Sequence, residues 1–403
     1  MAKVRNVIAS ARRSRPALVA GAVAAAVLVA GGVVLATRSN SPPTPPKQAS
    51  TRVVALGDSV PYGHGLANPY LTPQDGLPPT AVSQAPAERA YPSLLAGSLG
   101  LTMTIRPDNC HLTGDQLAVS GAVADAADDT APDKQCPVPP RPARNLGDEI
   151  AAAQLPLHPA RLVVLQIGAD DINFGACLVA ELARVAGTGV DLGTPCVSNG
   201  AVTPVVDAAL ARVRSSLARA IEAMAPDVDR IAVLDYYQPI PSPSQIADDS
   251  GLSGFGTNLV CTGLKINASG TYADAQLVLA ALNRTIAGAV DDARAHHVTN
   301  VGLVDIASAF DGHGVCTADP WVFSAQPVSD ATLALDAQAI LAAKACKDVV
   351  SLPGCATLLQ RANAAETQLR GYVWRAAHPT AVGQEIIARS VERQLRAAAP
   401  EPV

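Results

Sequence analysis

The segment Val53-Val-Ala-Leu-Gly-Asp-Ser-Val60 ends an apolar run in a Gly-Asp-Ser turn. A serine presented at such a turn can act as a nucleophile once a neighbouring base takes its proton. Gly57 lets the chain turn sharply and aim the Ser59 hydroxyl outward. The same residues also read as a plain strand-to-helix turn with Asp58 or Ser59 as the cap. The segment is not a Gly-x-Ser-x-Gly elbow, because Pro61 stands in the last glycine position. Seven histidines are available as the base: His64, His111, His158, His296, His297, His313 and His378. A second apolar run closes in Gly168-Ala-Asp-Asp-Ile172, whose paired carboxylates read locally as helix caps. No His, Cys or carboxylate cluster has metal-ligand spacing, so neither a metal nor another cofactor is expected.

The elements that must carry these residues alternate between two patterns. Residues 52–56, 161–167, 230–236 and 300–306 are short, β-branched and apolar almost throughout, the pattern of parallel strands covered on both faces. Helical stretches are expected over 86–99, 273–295 and from Pro379 to about residue 398. Another opens at Thr203-Pro204, a cap residue followed by a first-turn proline, and runs to about residue 223. Strand alternating with helix predicts one α/β fold, a three-layer α/β/α sandwich around a mostly parallel sheet of flavodoxin-like type. Ser59 then falls at the carboxyl edge of the sheet, where ligands bind in such folds. His158, His296 and His297 precede strands and fall at the opposite edge. His111 adjoins Cys110, and His64 is too local to Ser59 to face it easily. His313 lies at the correct edge. His378 sits at a rigid junction, with Pro379, Thr380 and Gly383 opening a helix, and is the expected base.

These blocks, in this order over about residues 52–395, resemble the SGNH or GDSL hydrolases, most closely their secreted actinobacterial esterase and lipase branch. Gly57-Asp58-Ser59 matches the block that carries the nucleophile. Leu117-Ala-Val-Ser-Gly-Ala122, preceded by Tyr91-Pro-Ser-Leu-Leu-Ala96, matches the block whose glycine N–H binds the oxyanion, here Gly121. Gly168-Ala-Asp-Asp is an altered form of the third block, and Arg375-Ala-Ala-His-Pro379 of the last. Phe310-Asp-Gly-His-Gly-Val-Cys316 with Pro320-Trp321 is similar to that branch as well. The resemblance implies ester hydrolysis through an acyl-enzyme on Ser59, with His378 as base and the Ser59 and Gly121 N–H groups holding the oxyanion.

Two positions depart from the family pattern. The carboxylate that usually orients the histidine is Arg375, which accepts no hydrogen bond; the backbone carbonyl of Arg375 or Trp374 is expected instead. The third oxyanion donor, usually an Asn amide, is Asp170. It could be protonated through burial and Asp171, could have swung away, or could mark a lost catalyst. One missing donor costs roughly 10²–10³ in rate. The expected function is therefore hydrolysis of extracellular acyl esters of lipid, acyl-sugar or cell-envelope type. The alternatives are acyl transfer by the same residues, or an impaired SGNH fold serving as an envelope binding or scaffold protein.

The remaining sequence sets the compartment. Residues 1–36 hold five basic and no acidic side chains, and residues 16–36 form an uncharged apolar run, either a cleaved signal or a membrane anchor. Residues 37–50 are a Pro- and Ser-rich tether, and 51–400 the catalytic domain. Within it, 325–372 is an Ala-rich insertion expected to cover the pocket. Without residues 1–36 the chain carries 25 basic against 35 acidic side chains, a balance that excludes a nucleic-acid partner. A monomer is expected. The eight cysteines are even in number and scattered, which suits disulfides in an oxidising space. Bracketing single loops, they pair as Cys110–Cys136, Cys177–Cys196, Cys261–Cys316 and Cys346–Cys355.

Overall fold

The computed structural model describes residues 50–66, 84–108, 111–119, 122–125, 132–137, 140–142, 145–175, 177, 196–247, 255–323 and 377–397. The apolar segment 16–36, residues 37–49 of the tether and the insertion 325–372 lie outside the described residues, among which no helix is long and apolar enough to cross a membrane.

Four parallel strands form the central sheet: β1 (Val53–Gly57), β2 (Ala160–Gln166), β3 (Val228–Leu234) and β4 (Val301–Val304), in the order β1-β2-β3-β4. All lie within two residues of the expected runs. Every residue of β1 is buried, and β2 exposes only its second position. That burial explains the apolar run without alternation, because both faces are covered. On the free side of β1, residues 115–119 run alongside it: Ala55 N–H donates to the Asp115 carbonyl at 2.8 Å, and Leu117 N–H to the Ala55 carbonyl at 2.9 Å. With this rudimentary strand the spatial order becomes 2-1-3-4-5, the flavodoxin-like order, which puts a topological switch point at the carboxyl end of β1.

Helices cover both faces. On one lie α4 (Leu146–Ala153), α5 (Pro204–Met224) and α6 (Phe255–Ala295); on the other α3 (Tyr91–Ser98) packs on β1, and α7 (Ala381–Ala397) on β4 and α3. The three-layer α/β/α sandwich is thus observed. Three local expectations are corrected. The stretch 86–99 is two helices, α2 (Gln84–Arg89) and α3, separated by extended Ala90. Pro92 is the cause, since its ring and missing N–H forbid a turn continuing from α2. Thr203 stands at the N-cap of α5 but makes no side-chain cap bond; Pro204 alone sets the first turn. Finally, α6 begins at Phe255, eighteen residues before the expected start, in a stretch whose glycines break any apolar stripe.

Gly57 is where sheet and site meet. It ends β1 at φ +123°, and a Cβ placed there would lie 2.0 Å from the Gln166 carbonyl oxygen of β2. Only glycine allows both the backbone turn and this close approach. Gly57→Ala is expected to lower stability by about 3 kcal/mol or more, through strain and a forced parting of β1 from β2. Urea denaturation of the full chain measures it, and a loss below about 1 kcal/mol would show that this sheet edge yields easily.

Candidate active site

After Gly57 the chain enters the short helix α1 (Ser59–Tyr62). Asp58 is its N-cap, with its carboxylate accepting the Val60 N–H at 3.1 Å. The capping reading and the nucleophile reading therefore hold together: Asp58 caps, and Ser59 is left in the first turn. Three buried side chains brace this turn. Glu149 of α4 accepts the Gly57 N–H at 2.7 Å, Gln116 donates to the Pro61 carbonyl at 2.9 Å, and Gln384 of α7 donates to the Val60 carbonyl at 3.1 Å. Gln384 also accepts the Tyr91 N–H, so α7 clamps α1 to α3.

His378 lies just ahead of α7, and its Nε2 is 2.8 Å from Ser59 Oγ. With Nδ1 carrying the ring proton, the serine hydroxyl donates to Nε2, the arrangement general-base activation requires. The loop that holds the ring is itself held by Trp321–Phe323. Phe323 N–H donates to the His378 carbonyl at 2.8 Å, Ala377 N–H to the Phe323 carbonyl at 2.9 Å, and Thr380 N–H to the Trp321 carbonyl at 2.8 Å. Ala377 adopts φ +65°, an uncommon conformation for alanine. Its carbonyl accepts the Tyr237 hydroxyl at 2.8 Å. Gly383 lets α7 approach, because a Cβ there would lie 2.2 Å from the Trp321 carbonyl oxygen.

Aromatic residues are only 3% of the chain, yet four rings line up behind this loop. Tyr237 stacks on Phe310 at 4.3 Å, Phe310 meets Trp321 edge-on at 5.7 Å, and Trp321 stacks on His313 at 3.4 Å. His313, the other histidine at this edge, is thus a supporting residue, its Nδ1 engaged with the Asp319 carbonyl. His64, expected to be too local to Ser59 to face it, is buried instead against the other histidine: its ring centroid lies 4.3 Å from that of His378. At the far edge His296 pairs with Glu222 on the surface, and His158 and His297 are exposed.

Asp58 is fully buried. Loss of solvation, joined by repulsion from Asp170, pushes its carboxyl up to about 8, against the Tyr236 hydroxyl and the Val60 N–H that both donate to it. Burial and the Asp58 charge hold the Tyr236 hydroxyl well above its ordinary range, so it stays a donor. Its oxygen also accepts the Ala169 N–H at 3.4 Å, joining the loop after β1 to the loop after β2. The paired carboxylates of that second loop separate in role. Asp171 reaches to an earlier segment, where its carboxylate accepts the N–H groups of Ala124 and Asp125 at 2.9–3.1 Å. Asp170 is half-buried and acts on Asp58 through its charge.

Gly121, Trp374 and Arg375 lie outside the described residues, as do Cys110, Cys346 and Cys355. On either side of Gly121, Val119 N–H donates to the Gly57 carbonyl at 2.9 Å and Ala122 N–H to the Val119 carbonyl at 3.0 Å. The expected Cys177–Cys196 disulfide is present, with Cα atoms 5.5 Å apart, and Cys316 is disulfide-bonded too. Among the described residues no group of three His, Cys, Asp or Glu side chains could hold a metal ion. The sequence alone did not single out Tyr236, Tyr237, Gln384 or His64. A tyrosine pair directly after a buried strand, in a chain this poor in aromatics, was the one signal available for the first two.

No protein-family model and no curated protein matches the chain. Among solved structures it is similar to an extracellular lipase from Streptomyces rimosus, at 18% identity and a TM-score of 0.41, covering 87% of this chain and 100% of that one. It is also similar to Axe2, an acetylxylan esterase from Geobacillus stearothermophilus, at 13% identity and a TM-score of 0.33, covering 85% and 93% respectively.

A buried carboxyl raised above the ordinary 3.8 binds its proton more tightly in the folded chain than in the unfolded one. The stability it contributes is therefore complete below about pH 4 and lost as the pH rises through about 8. Asp58→Asn keeps an acceptor for the Val60 N–H, turns its amide N–H to the Tyr236 oxygen, and cannot ionise. Relative to the parent, the variant is expected to gain at least ~1 kcal/mol between pH 5 and pH 9, the value of about one unit of pKa shift. Thermal unfolding at both pH values measures the gain, and parallel pH profiles for the two proteins would contradict the raised carboxyl.

Proposed function

We propose that the chain is a serine ester hydrolase of the SGNH type. The observation that carries this reading is the 2.8 Å contact between Ser59 Oγ and His378 Nε2 at the carboxyl edge of the sheet. Ser59 Oγ attacks the ester carbonyl carbon as His378 takes its proton. The carbon–oxygen bond to the alcohol then breaks, and His378 returns that proton to the leaving alkoxide. Water, deprotonated by the same imidazole, releases the acid from the acyl-enzyme. The Ser59 and Gly121 N–H groups receive the oxyanion, and the backbone carbonyl of Arg375 or Trp374 orients the ring.

The substrates are acyl esters of lipid, acyl-sugar or cell-envelope type met outside the cytoplasm, where disulfides such as Cys177–Cys196 persist. Residues 1–36 deliver the chain there as a signal or an anchor, and the protein acts as a monomer without a cofactor. An alcohol in place of water would make the same site an acyltransferase. One feature favours a second reading, an impaired fold that binds rather than cleaves: Asp170 puts a carboxylate where a donor is wanted.

Hydrolysis of 4-nitrophenyl butyrate by the full chain tests the assignment. Ser59→Ala and His378→Ala are each expected to lose at least about 10³-fold in kcat, and turnover that survives Ser59→Ala would refute the assignment. Asp170→Asn replaces a repelling oxygen with an N–H donor and is expected to raise kcat by about 10-fold or more. An unchanged or lower rate would show that position 170 does not face the oxyanion.

A further inference from the structure

We infer that His64 is a positioning residue for the base, holding the His378 imidazole in plane in a chain whose residue 375 is an arginine. The inference rests on the reading of Ser59 and His378 as nucleophile and base. Its ground is geometric. The two imidazole rings lie against each other in a tilted arrangement, with centroids 4.3 Å apart and planes inclined by 31°. His64 is only 6% exposed, so its ring is held inside the fold and does not project into solvent.

The backbone explains how residue 64 reaches this position so soon after Ser59. Gly63 closes α1 at φ +85°, and Gly65 follows at φ +89°. Two left-handed residues around one reverse the chain immediately, a course that glycine adopts at no steric cost. His64 N–H then donates to the Ser59 carbonyl at 2.9 Å, and Leu66 N–H to the Gly63 carbonyl at 3.2 Å. The ring of residue 64 is thereby tied to the same turn that presents the nucleophile. A contact between His64 and His378 couples the position of the base to the position of the hydroxyl it must reach.

Orientation by a ring face differs in kind from orientation by a carboxylate. A carboxylate both fixes the tautomer and stabilises the imidazolium, whereas a packed ring restricts rotation of the imidazole without supplying charge. The loop clamp at Ala377 and His378 sets where the ring is attached. His64 sets the plane it keeps.

The test compares the full chain with His64→Ala and His64→Phe, using 4-nitrophenyl butyrate kinetics and histidine-ring NMR. His64→Ala is expected to lower kcat by about 10-fold or more with KM changed less than about twofold, since misplacement of a reacting group acts on the chemical step. His64→Phe restores a flat ring and is expected to stay within about threefold of the parent. The His378 Hε1 resonance, assigned through His378→Gln, should move in His64→Ala and return towards the parent shift in His64→Phe. Equal kcat in parent and His64→Ala overturns the proposal. So does a His64→Phe protein that unfolds at the parent temperature but is as slow as His64→Ala. If the parent cleaves no ester at all, the hydrolase reading fails, and the NMR arm decides on its own: a His378 resonance unmoved in His64→Ala would remove the contact as well.

Discussion

The contact between Ser59 and His378 joins residues 319 positions apart. Each is fixed by its own rigid frame, and the site exists only where the two frames meet. The serine frame is the end of β1, turned at Gly57 and capped by Asp58. The histidine frame is the start of α7, tied to Trp321–Phe323 by a short antiparallel bridge and backed by stacked rings. Gln384 closes the gap between them, bonding the Val60 carbonyl beside the nucleophile and the Tyr91 N–H on α3. Because such hydrogen bonds are buried, each would leave an unsatisfied polar group if the frames parted, and that cost holds the geometry.

The turn that carries Ser59 has a cost of its own. Asp58 is a carboxyl in a place with no water, facing the like charge of Asp170. It persists because its oxygens accept the Val60 N–H and the Tyr236 O–H, and because its cap keeps Ser59 in a fixed first turn. Tyr236 extends the same network to Ala169, so the loops after β1 and β2 are joined through one side chain. Asp171 ties the second of these loops to residues 124 and 125, on the path that carries Gly121. Strained or ion-burdened groups of this kind collect where function needs a fixed constellation rather than the lowest energy.

Much of this was legible in the residues. Four short, β-branched runs, apolar almost throughout, pointed to buried parallel strands, and a Gly-Asp-Ser turn after the first then lies at the carboxyl edge. Strand order ruled out His158, His296 and His297 by placing them at the other end. Other features had no local signal. The break at Ala90 depends on how a helix restarts around Pro92, and the early start of α6 lies in a stretch without an apolar stripe. Asp171 reads locally as a helix cap, and its bonds to the N–H groups of Ala124 and Asp125, more than forty residues earlier in the chain, had no local signal.

The division follows the range of the forces. Periodicity, turn chemistry and charge are properties of neighbouring residues, so the sequence by itself determined the layered α/β plan and the edge that carries Ser59, and it pointed to His378 as the histidine that meets Ser59. Contacts between distant segments depend on packing, so only the tertiary structure decided that His64 lies on the ring of His378. Packing likewise decided that Tyr236 bridges two loops, that four rings back the loop of His378, and that Asp58 is buried deeply enough to hold its proton near neutral pH.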